Sequence, residues 1–224
     1  MFMHTSLKNF NSINDKINEI SIKKQLKTNP KIIVVTKTFP LEKIMPILET
    51  GHLHYGENKI QEAEKKWSEY KKNNNVSLHM LGNLQTNKAK RAVKLFDYIH
   101  SLDNEKLAVK LNEYQKELDK KIKIFIQVNL ANEKQKFGIK LNEISNFFSF
   151  CTKDLSLDIV GLMCLPPSGI NSKKYFQILK TTADALSLKD LSMGMSSDFA
   201  EAILCGSTYL RLGTAILGER NIIK

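Results

Sequence analysis

The 224-residue sequence has only three cysteines and no long hydrophobic run. Cys151, Cys164 and Cys205 are an odd number and form no CxxC pair, so neither a disulfide framework nor a zinc cluster is expected. No apolar stretch approaches the roughly 18 residues that a membrane helix needs. The amphipathic N-terminal segment contains Asp15 and Glu19 but no arginine, which is unlike a targeting sequence. We therefore expect a cytoplasmic protein that does not associate with membranes.

Arginine is scarce although the chain is basic. Lysine and arginine total 34 against 23 acidic residues, which gives a net charge of +11, yet only Arg91, Arg211 and Arg220 are arginine. Specific recognition of phosphates and bases favours the arginine fork, so this charge indicates a solvated surface and we expect no nucleic-acid partner. A nucleic-acid-binding module is the alternative that the charge alone would suggest.

Several common catalytic motifs are missing. The sequence has no GxGxxG, no GxxxxGK followed by Ser or Thr, no HExxH and no GxSxG. Nucleotide-binding, zinc-protease and serine-hydrolase functions therefore have no support. His52 and His54 could share a strand face, but no third ligand is near, and we expect no metal site. His79 could contact a ligand at a strand end, although a hydrogen-bonded core histidine explains it more simply.

Strand-like and helix-like segments alternate along the whole chain. An N-terminal helix is indicated by Phe10, Ile13, Ile17 and Ile20 at helical spacing. Strict alternation over one domain's length predicts a single (β/α)8 TIM barrel over residues 1–224, preceded by this extra helix, with an open parallel sheet as the alternative. The predicted strands are Ile32–Val35, His54–Gly56, Leu78–Leu81, Tyr98–Ser101, Ile122–Leu130, Ile159–Leu165, Leu191–Met193 and Tyr209–Leu212.

Two short polar loops follow the seventh and eighth predicted strands, where such barrels often bind phosphate. The first contains Ser196 within Gly194–Asp198 and offers backbone N–H groups and hydroxyls to an anion. The second is Gly213-Thr214, where the missing side chain would let the backbone approach a ligand. An N-cap serine and a simple turn glycine are the structural alternatives.

Two basic residues at strand positions complete a candidate pocket. Strand alternation directs Arg211 into the barrel, where it either binds a ligand or forms a structural salt bridge. Lys37 comes directly after the first buried strand, where burial and a nearby cation would favour the neutral amine that condenses with an aldehyde. Lysine, arginine and two phosphate loops together outline a site for pyridoxal 5'-phosphate (PLP).

The sequence resembles the YggS-type pyridoxal phosphate homeostasis proteins, whose fold is similar to the barrel domain of alanine racemase. The resemblance runs from about Lys31 to Arg220 and rests on several separate segments in the same order. These segments are Val34–Thr38, Gly56–Asn58 with Gln61 and Glu62, His79 with Gly82 and Leu84–Lys88, Phe137–Gly138, Gly161–Met163, Met193–Ser196 with Asp198, and Arg211–Thr214 with Gly218.

The resemblance implies a role for each candidate residue. Lys37 matches the lysine that forms the internal aldimine with PLP, and Arg211 matches the arginine that faces the pyridine nitrogen. Ser196, Gly213 and Thr214 match the phosphate-binding positions, and Asn58 lies in the segment that lines the cofactor.

The function implied is intracellular PLP homeostasis without robust catalysis, with PLP-dependent apoenzymes as possible recipients. We expect a monomer, because the length leaves no room for the second domain and partner-supplied base of alanine racemase. A PLP-dependent amino-acid racemase is the alternative.

Overall fold

A closed parallel barrel forms the centre of the molecule in the computed structural model, which describes residues 4–26, 29–131, 133, 137–167 and 171–219. Eight of the strands in these ranges pair in the order β1-β2-β3-β4-β5-β7-β8-β9, and β9 returns to β1. The short β6 pairs with β5 outside this ring. The strands are β1 (Lys31–Val35), β2 (His54–Glu57), β3 (Ser77–Met80), β4 (Tyr98–Leu102), β5 (Lys123–Asn129), β6 (Ile139–Lys140), β7 (Ile159–Cys164), β8 (Asp190–Ser192) and β9 (Tyr209–Leu212).

Ring closure confirms the predicted (β/α)8 barrel and excludes the open sheet. Because β4 pairs with β5 and β1 pairs with β9, each ring strand has a neighbour on both sides. All pairs are parallel, as expected for strands that are buried on both faces and read as continuous apolar runs. The eight predicted strands coincide with the ring strands to within one or two residues.

Helices surround the ring and bury the outer faces of the strands. The helices are α1 (Thr5–Lys23), α2 (Leu41–Leu48), α3 (Ile60–Trp67), α4 (Tyr70–Asn73), α5 (Ala89–Leu95), α6 (Glu105–Glu117), α7 (Ile144–Ser149), α8 (Ser172–Ala185), α9 (Phe199–Leu204) and α10 (Thr214–Leu217). The N-terminal helix α1 packs against α2, α9 and α10, the last of which follows β9. Each helix in the described ranges is too short or too polar to span a bilayer.

The barrel interior is filled by large side chains. Ile33, Tyr98, Phe125, Met163 and Tyr209 form an apolar cluster that is separate from the core between strands and helices. A glycine on β7 makes room for this layer, because a Cβ on Gly161 would lie 2.8 Å from the ring of Phe125. The interior is therefore a packed core, and a ligand has room only at its mouth.

We predict that Gly161→Ala destabilises the barrel. The added Cβ would lie 2.0 Å from the carbonyl oxygen of Asp190 on the paired strand β8, so backbone must move. We expect a loss of about 3 kcal/mol in the free energy of unfolding, measured by urea denaturation.

Gly213→Ala is the matched control. A Cβ on Gly213 would find its nearest atoms at 3.5 Å, on Val35, and the φ of −113° suits alanine. Its free energy of unfolding should stay within about 0.5 kcal/mol of the wild type. Equal losses in the two variants would contradict this account of Gly161.

Candidate functional site

Arg211 lies inside the barrel and is 5% exposed. Its Nη1 donates to Ser192 Oγ at 2.8 Å, and its Nη2 donates to the carbonyl oxygen of Cys164 at 2.9 Å. Among the described residues no carboxylate lies within salt-bridge distance of the guanidinium, so the structural salt bridge is not found there. Burial lowers the pKa of Arg211. An anionic or electron-rich ligand beside this buried cation would therefore be stabilising.

Arg211 and Lys37 belong to two adjacent segments of the barrel, because β9 carries Arg211 and the turn after its paired strand β1 carries Lys37. In the register of β1 and β9, Arg211 pairs with Ile33, which is part of the interior cluster. Val35 and Gly213 follow two residues later on the two strands and lie in contact distance. β1 ends at Val35, and Lys37 lies two residues further on, in the turn at the mouth of the barrel. The structure leaves this lysine half-buried.

The turn that carries Lys37 is fixed on both sides by charged residues. Thr36, before the lysine, donates from Oγ1 to Glu57 Oε1 at 2.6 Å, and its carbonyl oxygen accepts from Lys66 Nζ at 2.6 Å. Thr38, after the lysine, has a φ of 68° and donates its backbone N–H to Glu62 Oε1. The backbone around Lys37 is therefore held in place by acidic and basic side chains from β2 and α3.

A buried ion pair lies at the centre of this arrangement. Lys66 Nζ is 2.8 Å from Glu57 Oε1, with side-chain exposures of 7% and 0%. Trp67 Nε1 donates to the same oxygen at 2.9 Å. The sequence analysis assigned these residues no role. The signal that could have found them is Glu57 itself, because a carboxylate in a buried strand needs a buried polar partner.

The two predicted phosphate loops meet in the structure. Ser196 Oγ accepts from the backbone N–H of Ala215, which is the second residue of α10. Ser196 is therefore not the N-cap of α9, a position that Asp198 occupies. Asp198 instead braces the loop by accepting from the backbone N–H of Met195 at 2.6 Å.

The residues of these loops are small or exposed. Thr214 is exposed and Gly213 is half-buried, and a Cβ on Gly213 would be in ordinary contact with Val35, whose nearest atoms lie at 3.5 Å. The loops thus bring hydroxyls and backbone N–H groups together, and these are donors that suit a phosphate group.

Asn58 lies at the mouth, directly after β2. A Cβ on Gly82 would lie 2.2 Å from the carbonyl oxygen of Asn58, so these two loops touch through their backbones. Asn58 also lines a cavity of about 500 Å³ together with Asn83, Gln85 and Lys88. The structure therefore places Asn58 at the same end of the barrel as Lys37, next to a polar cavity.

Three histidines join Arg211 in the interior. Ser192 Oγ lies 2.8 Å from His100 Nδ1, His100 Nε2 lies 2.9 Å from His79 Nδ1, and His79 Nε2 lies 3.0 Å from His54 Nδ1. His79 is fully buried, which confirms that it is a hydrogen-bonded core histidine. Sequence reasoning gave no role to His100 or Ser192, because they lie 92 residues apart and nothing in the sequence shows that they meet.

Comparison with known proteins finds relatives that match most of the chain. The sequence model of the family described as alanine racemase, N-terminal domain, matches residues 12–221. The pyridoxal phosphate homeostasis protein of Pasteurella multocida is 35% identical over 205 residues, which cover 87% of this chain and 88% of the relative. The protein of the same name from Synechocystis is 36% identical over 199 residues, which cover 85% of this chain and 91% of the relative.

Solved structures of PipY from Synechococcus elongatus PCC7942 have the same fold. The structure without PLP superposes with a TM-score of 0.81 at 33% identity, and the structure with PLP bound superposes with a TM-score of 0.78 at 32% identity. Both comparisons cover 90% of this chain and 100% of the PipY chain. The chain therefore belongs to the pyridoxal phosphate homeostasis protein family, within the larger family of alanine racemase N-terminal domains.

Proposed function

We propose that the protein binds PLP at the mouth of the barrel and holds it reversibly, as an internal aldimine on Lys37, for intracellular PLP homeostasis. The observation that carries the proposal is Arg211, a buried cation with only neutral hydrogen-bond partners among the described residues, on the strand paired with β1, which Lys37 follows. The names of the relatives and the PLP-bound form of PipY support it.

The residues at the mouth fit the chemical parts of PLP. Ser196, Gly213 and Thr214 supply hydroxyls, backbone N–H groups and space for the phosphate, and Arg211 supplies a donor for the pyridine nitrogen. Asn58 lines the neighbouring cavity. PLP itself supplies an aldehyde that condenses with an amine and releases water.

Arg211 favours holding the cofactor over using it in catalysis. A guanidinium donates a hydrogen bond but does not transfer its proton at ordinary pH, so the pyridine nitrogen would keep its lone pair. A pyridine ring that is not protonated withdraws electrons poorly, which disfavours carbanion chemistry. The protein would therefore retain PLP and pass it on to PLP-dependent apoenzymes as a single-domain monomer.

We predict that the covalent link to PLP depends on Lys37. Wild-type protein incubated with PLP should turn yellow and give a PLP-labelled peptide containing Lys37 after borohydride reduction, as detected by mass spectrometry. Lys37→Ala should lose the reducible adduct, because the amine that forms the carbon–nitrogen bond is gone.

Lys59→Ala is the control for this experiment. Lys59 is an exposed lysine at the same end of the barrel, directly after Asn58. It should keep the wild-type absorbance and labelling. A wild type that stays colourless, or labelling that survives in Lys37→Ala, would refute the assignment.

We predict that Gly213→Ala weakens PLP binding without unfolding the protein. The added methyl would occupy the space that the phosphate needs, although it meets no protein atom closer than 3.5 Å. We expect about a tenfold increase in Kd, equivalent to about 1.4 kcal/mol, in a fluorescence or absorbance titration. Unchanged affinity would place the phosphate elsewhere.

The racemase alternative is motivated by the match to alanine racemase N-terminal domains. It predicts exchange of the α-proton of an amino acid with solvent deuterium, whereas the homeostasis proposal predicts none above the rate of free PLP. Proton NMR of the PLP-loaded protein with a panel of amino acids measures this directly. Exchange that is lost in Lys37→Ala but kept in Lys59→Ala would favour the racemase.

A further inference from the structure

A continuous chain of hydrogen bonds runs from Arg211 through the barrel interior. We name His100, His79 and His54 the histidine chain, and Ser192 joins it to the guanidinium. The four links are 2.8, 2.8, 2.9 and 3.0 Å between heavy atoms, which is ideal for hydrogen bonds. The links connect β9, β8, β4, β3 and β2.

The hydrogen-bonding capacity of each group fixes the direction of the chain. Arg211 has no acceptor and must donate to Ser192 Oγ. Among the described residues the serine oxygen has only one other partner, His100 Nδ1, so its hydroxyl proton points there. The reverse direction would leave that buried hydroxyl proton without an acceptor.

Every ring must then be the same tautomer. His100 accepts at Nδ1 and carries its proton on Nε2, from which it donates to His79 Nδ1. His79 likewise donates from Nε2 to His54 Nδ1. All three neutral rings thus carry their proton on Nε2, and every N–H points away from Arg211.

The surroundings keep the rings neutral and immobile. His79 stacks on Tyr98 with ring centres 4.2 Å apart, and His100 stacks on Phe125 at the same distance. Burial lowers the pKa of His79 and His100 well below the ordinary value. The charge of Arg211 lowers the pKa of His100 further.

The far end of the chain reaches the opposite end of the barrel. His54 is only partly buried and lines a cavity of about 310 Å³, together with Lys31 and His52. Burial and the charge of Lys31 lower the pKa of His54 to about 4; His52 and Lys123 lower it further by smaller amounts, and Asp97 opposes them. The histidine chain is therefore accessible at one end and meets Arg211 at the other.

We propose that the histidine chain is a positioning relay for Arg211, which fixes the place of the guanidinium through Ser192 and transmits changes at His54 to the ligand that Arg211 contacts. The link to the ligand rests on the proposed function, whereas the direction of the chain does not. Because coupling through a hydrogen-bonded chain is reciprocal, a change at either end must appear at the other.

The first test uses the protein without PLP. Histidine ring ¹⁵N–¹H correlation spectra distinguish the two tautomers, and we expect the Nε2–H form at all three positions of the histidine chain. An Nδ1–H tautomer at His100 or His79 would overturn the proposal.

The second test measures whether a change at His54 is transmitted along the histidine chain to His100. His54→Phe removes the acceptor for His79 Nε2–H and should shift the ring nitrogen resonances of His100, two links away. His54→Gln restores an acceptor oxygen and should return them toward the wild-type positions. Unshifted His100 resonances in His54→Phe would overturn the proposal.

His52→Phe is the matched control. His52 is a neighbour of His54 with ring centres 6.3 Å apart, but its Nε2 bonds to the backbone oxygens of Ile32 and His54, outside the chain. It should leave the resonances of His100 unchanged. A shift as large as that of His54→Phe would assign the effect to general packing and overturn the relay.

The last test measures the absorbance spectrum of bound PLP. The wavelength of maximum absorbance of bound PLP should shift in His54→Phe, but not in His54→Gln or His52→Phe. Binding with an unshifted spectrum in His54→Phe would overturn the transmission to the ligand. A wild type that binds no PLP would instead refute the proposed function, and the tautomer measurements would still decide the direction of the chain.

Discussion

The buried carboxylate of Glu57 is the interaction on which the geometry of the mouth depends. One of its oxygens accepts hydrogen bonds from Thr36, Lys66 and Trp67. Thr36 directly follows β1, Lys66 and Trp67 belong to α3, and Glu57 itself ends β2. Removing one partner of a buried ion pair costs about 3–5 kcal/mol, because the other charge is left without compensation. The three elements therefore cannot move independently, and the turn between Thr36 and Thr38 has one preferred conformation.

This rigidity matters because Lys37 is a long, flexible side chain. Its amine can reach a ligand reproducibly only if the backbone that carries it is fixed. Thr38 at a positive φ shows the cost of that fixation, since a side chain with a branched Cβ rarely adopts this region. Glu62 offsets part of the cost by accepting the N–H of Thr38. The ion-pair network and the strained turn thus both fix the backbone that carries Lys37.

The architecture could be predicted from the sequence because every ring strand is buried on both faces and every major helix has an apolar stripe. A strand buried on both faces gives a short continuous apolar run, and the stripe of a helix repeats every 3.6 residues. The short elements β6, α4 and α10 were not predicted, because they are too short to show a helical period and β6 lies outside the alternation of ring strands and helices. Lys37, Arg211 and Ser196 became candidate site residues through their places in or directly after predicted strands, and their roles stay a prediction. The partners of Arg211 could not, because the contact between Ser192 and His100 arises only when the ring closes.

The two halves of the site follow different physical rules. At the mouth, opposite charges compensate each other, so the carboxylate and the ammonium of the Glu57–Lys66 pair are both stabilised by the contact. Inside the barrel, the hydrogen bonds of the Arg211 guanidinium to described residues go to dipoles, those of a hydroxyl and a backbone carbonyl, and the charge of Asp198 acts on it without a direct contact. Dipoles stabilise a buried charge less than a counter-ion does, so the interior keeps an unsatisfied preference for negative charge or a lone pair. In the proposed complex the lone pair of the pyridine nitrogen would meet this preference, whereas an aspartate in place of Arg211 would reverse the local charge and favour a protonated ring.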